Sequence, residues 1–324
     1  MNVLILTRAG DAYATGPVIE ALRARGGRPW VLETERFPTQ VGLTWRGPGE
    51  GTLTLPGQGA VELSEMEAVW ARRSALPALP PELPPDVRQG AAKEAYHQLM
   101  GALLDSPAFF MDPPAVYQRA RTKALQLRLA RQVGLAVPRT LESNDPEAVR
   151  AFAATCPGGL IAKMYNDLRV DGGTIFTNRI GPEELEHIDD VVGCPMIFQE
   201  AVPKALELRV IVVGLQVFAM ALDSQALAGA ELDWRRTGAQ DIERWRPYAL
   251  PADVRAAMLR LHDALGSNYG AADMILTPAG EHVLLESNGV GECFWFYPHL
   301  PVAEAIADLL LGRVERRAPP RSLR

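Results

Sequence analysis

The sequence predicts an α/β protein of two or three α+β lobes, and three observations carry that prediction. The chain has 324 residues, more than one small domain needs. Hydrophobic residues make up 48% and charged residues 22%, the balance of a chain that buries a core. The opening segments read strand, helix, strand, which is a β-α-β unit.

The elements follow in order. "NVLILT" (2–7) is a short continuous apolar run, the pattern of a central parallel strand. "PVIEALRARGG" predicts a helix with Pro17 at its start and Gly26-Gly27 at its stop. "PWVLET" (29–34) is the second strand, and no GxGxxG accompanies it, so a dinucleotide fingerprint is absent. Residues 41–64, rich in Gly, Thr and Leu, read as hairpins, and "AVWARR" (68–73) as another strand. The Pro-rich "LPALPPELPPDV" leads into a helix at roughly 86–104, and a lobe boundary falls near 118. "TKALQLRLARQVGLAVPRT" (122–140) carries a helical stripe of Leu125, Leu129 and Val133, closed by Gly134 and Pro138. Asp145 and Pro146 are the N-cap and first position of the next helix. "GGLIAKMY" is a strand carrying Lys163, with "GGTIFTNRI" as its hairpin partner. "MIFQEAV" (196–202), "LELRVIVVGLQVFAMAL" (206–222), a helix at 252–266, "GAADMILTPAGEHVLLESN" (270–288) and a last helix "VAEAIADLLLG" form a third lobe. The expected lobes are 1–118, 119–195 and 196–324.

Composition excludes several classes. A net charge of −6 and a pI of about 5.5 argue against nucleic acid as a partner, while leaving room for one anionic ligand in a local basic pocket. Cys156, Cys194 and Cys293 are far apart and odd in number, without zinc spacing. Reduced thiols in a cytoplasmic protein are the expectation. The apolar run before Arg8 is too short for a signal segment or a membrane span.

The segment 270–288 reads as a hairpin turning at "PAGE". Pairing Thr277 with His282 sets Asp273 opposite Glu286. Period-two alternation then places Leu284, Glu286 and Asn288 on one face. Facing carboxylates repel unless a positive charge lies between them, and neither strand supplies a lysine or arginine nearby. Mg2+, a hard cation that takes oxygen ligands, fits Asp273, Glu286 and the Asn288 amide; a solvated sheet face fits them equally when they are taken alone. Lys163 sits inside an apolar strand, where a lysine is costly without a partner. It reads as a phosphate contact or as a side chain snorkelling at a strand edge. Glu207 and Arg209 alternate onto one face, and an ordinary surface ion pair is the bland reading there. "DSQ" (223–225) and "DWRR" (233–236) flank a loop able to close over a ligand, with Arg235 suited to grip phosphate or carboxylate.

Taken together these pieces resemble the ATP-grasp superfamily: a lysine, a strand lysine, a Gly-containing hairpin, Gln-Glu-x-Val, a glutamate seven residues later, then Asp and Glu-x-Asn. "RFPTQ", "VWARR", "QLRLARQVGL", "SNDPEAV", "QEAVPKALELRV", "DWRR", "NYGAADMILTPAG" and "LPVAEAIADLL" are similar to the microviridin-type ligases, the graspetide synthetases, over essentially the whole chain. The resemblance implies an ATP-grasp fold with an N-terminal pre-ATP-grasp α/β domain. It implies that Lys123 and Lys163 hold nucleotide phosphates, that Gln199, Glu200 and Val202 form the linker reading adenine, and that Glu207 binds ribose. It implies that Asp273, Glu286 and Asn288 hold one or two Mg2+, that Arg209 and Arg235 face the γ-phosphate and acyl group, and that Leu285 and Met274 pack near the base. The implied activity is ATP-dependent formation of ω-ester or ω-amide crosslinks in a ribosomally made precursor peptide by a homodimeric enzyme. A ligase that adds amino acids to a protein or small peptide, and a nucleotide-binding module without catalysis, are the alternatives. Two departures from the family pattern stand out. The connection "MYNDLRVDGGTIFTN", which corresponds to the phosphate-covering loop, is short, and Ser287 replaces the usual valine or isoleucine.

Overall fold

The structure, a computed structural model, describes residues 1–165, 169–170, 173–174, 177–236 and 239–318. The short connection after Lys163 lies partly outside the described residues.

The first sheet is wholly parallel. It holds β1 (Asn2–Thr7), β2 (Arg28–Glu33), β6 (Met66–Ala71) and β7 (Phe109–Met111), ordered β2-β1-β6-β7. The apolar run of β1 has a physical cause: Val3 and Ile5 enter one core while Leu4 and Leu6 enter another, so both faces are covered. Between β1 and β2 lies α1 (Ala12–Ala24), which begins five residues before Pro17. The proline therefore sits inside the helix rather than at its start, where its missing N–H would have cost nothing. The stop is as predicted: Gly26 adopts φ +80°, and the Gly26 and Gly27 amides donate to Arg23 O and Leu22 O. A three-stranded antiparallel sheet, β3 (Gly42–Gly47), β4 (Glu50–Leu55) and β5 (Gly59–Glu62), packs with α2 (Pro85–Asp105) on the second core.

One helix then crosses the expected boundary. Residue 118 lies within α3 (Pro114–Arg121), and α4 (Lys123–Gln132) follows at once. The sequence assigned α4 to the middle lobe, yet Leu129 and Ala130 pack into the core of the third sheet.

The middle sheet is antiparallel, ordered β12-β9-β13-β8, from β8 (Thr140–Ser143), β9 (Leu160–Lys163), β12 (Asn178–Ile180) and β13 (Met196–Glu200). A small hairpin, β10 (Arg169–Val170) and β11 (Gly173–Thr174), stands apart from it, and Asn178–Ile180 is what pairs with the Lys163 strand. Residues 196–200, which the sequence placed in the third lobe, thus belong by hydrogen bonding to the middle sheet. α5 (Pro146–Ala154) covers it, with Asp145 accepting from the Glu147 amide as its N-cap. α6 (Pro182–Glu186) lies between β12 and β13.

The third sheet is antiparallel, ordered β16-β15-β14-β17-β18. Its strands are β14 (Leu206–Val213), β15 (Gln216–Leu222), β16 (Arg246–Pro247), β17 (Tyr269–Leu276) and β18 (His282–Asn288). One face is closed by α4 and α7 (Ala252–Leu265), where Leu208, Val210, Ala272, Met274 and Leu284 are buried. The opposite face divides along its length. Ile211, Val213, Tyr269 and Ala271 join a core with α8 (Val302–Leu310), Val18 and Leu22 of α1 and the first sheet. At the other end of the same strands the residues on this face are Glu207, Arg209, Asp273 and Ile275, and there the face is open as a cleft wall.

Candidate active site

The cleft between the middle and third sheets has a volume of about 860 Å³, and its wall includes Arg73, Tyr117 and Arg121 from the first part of the chain. It brings together every site residue expected from the sequence: Lys123, Lys163, Gln199, Glu200, Val202, Glu207, Arg209, Arg235, Asp273, Leu285, Glu286 and Asn288. Met274 is the exception among the residues expected near the base. It is 1% exposed and packs in the core behind the sheet, while its neighbour Ile275 faces the cleft.

Asp273 and Glu286 are direct cross-strand partners. The route to that pairing differs from the expected one. At the turn, His282 pairs with Leu276, one residue out of the anticipated register, and Met274 pairs with Leu284. A bulge between Asp273 and Met274 leaves Leu285 as the extra residue and restores Asp273 opposite Glu286. The bulge breaks period two, so Leu284 is buried in the core and Leu285 joins Glu286 and Asn288 at the cleft.

As expected, neither strand of the hairpin supplies a cation to the two carboxylates. The cations come from other elements. Arg209, opposite Asp273 on β14, donates from Nη1 to Asp273 Oδ1 at 2.5 Å. Lys123, at the start of α4, donates to Glu286 Oε2. Burial pushes the Glu286 carboxyl up, but Lys123 and Lys163 outweigh it and hold the carboxyl at about 2. For Lys163 burial prevails, and its ammonium sits below the usual range despite Glu286. Asn288 Nδ2 donates to Glu286 Oε1 at 3.0 Å, which leaves the amide oxygen as the remaining donor to a cation.

The other expected residues have definite partners. Glu207 pairs with Lys204 at 2.6 Å rather than with Arg209, and burial raises its carboxyl even so. Arg235 grips Asp233 through two nitrogens, Nε to Oδ1 at 2.9 Å and Nη2 to Oδ2 at 2.7 Å, and this carboxylate raises the guanidinium. Gln199 is 3% exposed; its Nε2 donates to Thr140 Oγ1, while its Oε1 has no hydrogen-bond partner among the described residues. Asp233, Trp234, Trp295, Lys204 and Glu292 line the cleft without having been singled out from the sequence. Asp233 stands two residues before Arg235 in "DWRR", a spacing that carries no pairing signal outside a regular element. The residues of "CFWF" (293–296) divide between core and cleft. Cys293, Phe294 and Phe296 are core, and Trp295 lines the cleft with the Arg209 guanidinium 5.8 Å from its ring centre.

The donor set suits a magnesium nucleotide. Among the described residues, no group of three or more His, Cys, Asp or Glu is gathered for a metal. The cleft instead offers two carboxylates and an amide, the partial oxygen set of a hard cation that shares its remaining positions with phosphate oxygens.

Comparison with known proteins agrees with this geometry. The MvdD pre-ATP grasp domain matches residues 2–118. The macrocyclase MdnC of Microcystis aeruginosa MRC, solved with its precursor peptide MdnA, is 39% identical with a TM-score of 0.86, covering 96% of this chain and 100% of that one. A RiPP-associated ATP-grasp ligase of Chryseobacterium gregarium, solved with ADP and a leader and core peptide, is 31% identical with a TM-score of 0.91, covering 98% of each chain. A probable alpha-L-glutamate ligase of Thioalkalivibrio sulfidiphilus is 25% identical, covering 89% of this chain and 87% of that protein. With such identity extending over nearly the full length of both chains, in a fold whose cleft collects the acidic, basic and amide residues described above, this chain belongs to the graspetide-type ATP-grasp ligases, ADP-forming enzymes.

Proposed function

We propose that this ligase uses Mg2+·ATP to activate Asp or Glu side chains of a ribosomally made precursor peptide and closes them onto Ser, Thr or Lys side chains of the same peptide. The observation that carries the reading is the grouping of Asp273, Glu286 and Asn288 beside two lysines and two arginines in one cleft. Mg2+ at the two carboxylates and the amide would supply charge neutralisation at the phosphates. Lys123 and Lys163 offer ammonium groups to the phosphates, and Lys123 exchanges its contact with Glu286 for that role. The buried Gln199 Oε1 offers an acceptor to the adenine amino group, and the Glu207 carboxylate offers one to ribose hydroxyls. Leu285 and Ile275 give the base an apolar wall.

The chemistry has two displacements. An oxygen of the peptide carboxylate attacks the γ-phosphorus, the bond to the bridging oxygen breaks, and ADP leaves. A hydroxyl or amine then attacks the acyl carbon, losing its proton as inorganic phosphate departs. Arg209 and Arg235 stand ready to stabilise the charge that builds on the phosphoryl and acyl oxygens. The loop 223–236 forms part of the cleft wall, which limits water at the activated acyl group. A division into three domains, with β13 counted to the middle one by its pairing, a homodimeric assembly, and these residue roles belong to the same proposal.

The test is co-expression with an acidic, Ser/Thr/Lys-rich peptide encoded beside this protein, followed by mass spectrometry. Loss of one water per crosslink with matching ADP release supports the reading. A gain of one amino-acid residue in mass identifies the glutamate-ligase activity for which the more distant relatives are named, and overturns it.

A further inference from the structure

Arg72 is an arginine of the first sheet, one residue beyond β6, and only 2% exposed. Its guanidinium reaches across to the bend that follows β18. Nη2 donates to both Glu292 oxygens at 2.5 and 2.7 Å, and Nη1 to the Val290 carbonyl at 2.9 Å. The bend so held is in turn the support of Arg209. The Glu292 carbonyl accepts from Arg209 Nε at 3.2 Å and Nη2 at 2.8 Å, and the remaining Nη1 of Arg209 is on Asp273. There is no slack in the bend. A Cβ on Gly291 would lie 2.6 Å from Ala271 Cβ and 2.9 Å from the Asn288 carbonyl, so the chain passes here only as glycine. A continuous line of directed contacts therefore runs from the first sheet, through residues 290–292, to the guanidinium and carboxylate at the centre of the cleft.

We infer that Arg72 is a positioning residue for the phosphate and metal end of the site: it fixes the 290–292 bend, and through the Glu292 carbonyl sets the orientation of Arg209 toward Asp273 and the γ-phosphate. It touches neither end directly. The inference rests on the proposed assignment of Arg209 and Asp273 to the γ-phosphate and the metal. Holding the Glu292 carboxylate with one nitrogen and the Val290 carbonyl with another requires the planar fork of arginine; a lysine keeps the charge and loses the geometry. A burial role alone would have no reason to single out one end of the nucleotide.

The experiment compares binding of Mg2+·AMPPNP with binding of ADP in the absence of Mg2+, by calorimetry on the full chain. Arg72→Gln weakens Mg2+·AMPPNP by about 10-fold, the scale of losing a group that orients a ligating side chain, while ADP stays within about two-fold. Arg72→Lys falls between Arg72→Gln and the unmodified protein. Glu292→Gln, which removes the charge Arg72 grips and keeps the side-chain shape, shows the same selective loss and serves if Arg72→Gln does not fold. Equal weakening of both ligands, or of neither, overturns the inference. Glu286→Gln is the control for the underlying site: if it binds Mg2+·AMPPNP as the unmodified protein does, the site assignment itself falls, and the inference with it.

Discussion

Glu286 receives a lysine from α4, an amide from its own strand and a facing aspartate from β17, and its carboxyl is held at about 2 against its own burial. It is ionised at neutral pH, as a metal carboxylate must be. Asp273→Asn and Glu286→Gln are each expected to lower peptide-dependent ADP formation by about 100-fold or more, the scale of losing a preorganised electrostatic contact, with circular dichroism unchanged. Turnover within a few-fold of normal in either variant contradicts the metal assignment. Lys163→Ala is expected to raise the ATP concentration needed for half-maximal rate; an unchanged requirement makes Lys163 structural. His262 carries the pH prediction. Buried behind β18, with Nδ1 at 2.8 Å from Ser267 Oγ and Nε2 facing Ser287 Oγ, its imidazole is pushed by burial down to about 3. The folded protein then binds fewer protons than the unfolded chain between about pH 3 and the ordinary value near 6.5. Its contribution is complete above that upper limit and is lost as pH falls, by ~2 kcal/mol at pH 5. The fall in Tm between pH 7 and pH 5 should be smaller in His262→Gln than in the unmodified protein, and an identical fall removes His262 from the account.

At the scale of elements, the hairpin β17–β18 shows how local rules and tertiary context divide the work. Alternation and turn position gave Asp273 opposite Glu286, but the strands reach that register through a bulge that the sequence does not announce. The bulge brings Leu285 into the cleft beside Glu286, which no strictly alternating strand does. β17 is equally constrained from behind. A Cβ on Gly270 would lie 2.3 Å from His262 Cε1 and 2.7 Å from Ser287 Oγ, so α7 packs against β17 and β18 only because this residue is glycine. Gly270→Ala is expected to destabilise by roughly 1–3 kcal/mol through overpacking. Combined with His262→Ala, which empties the space, it should cost less than the sum of the two single changes. Denaturant midpoints of the four proteins measure this, and strict additivity refutes the packing argument. Helix termini were legible where chemistry is local: Asp145 caps α5, and Gly26-Gly27 ends α1. Pro17 misled because a proline can be carried inside a helix when the surrounding core, here Ala14, Val18, Ala21 and Leu22, holds it in place.

For the whole molecule, the feature of consequence is that one core serves both ends of the chain. Val3, Ile5, Val18 and Leu22 share it with Ile211, Val213 and the buried face of α8. The buried Arg72–Glu292 pair crosses the same junction. Residues 1–118 are therefore not expected to behave as a dispensable module. A chain beginning at residue 119 would leave the apolar residues of α8 and one face of β14 uncovered, and should be insoluble or aggregate. In the full chain, hydrogen exchange should show β1 and β14 opening with similar free energies. Soluble, cooperatively folded material from the shortened chain disproves the shared core.

The sequence by itself determined the α/β class, most element positions, the family and the twelve candidate site residues that the cleft gathers, because those rest on local periodicity, capping and residue order along one chain. Only the tertiary structure decided which sheet each piece joins. β13 pairs into the middle sheet and α4 packs on the third, since hydrogen-bond partners and buried faces are chosen among segments distant in sequence. It also decided how the carboxylates are neutralised. Arg209 and Lys123 reach Asp273 and Glu286 from a neighbouring strand and a helix, and Arg72 reaches the bend after β18 from another sheet. Charges separated by tens to hundreds of residues interact only once folding sets them a few ångströms apart, and no spacing along the chain encodes that distance.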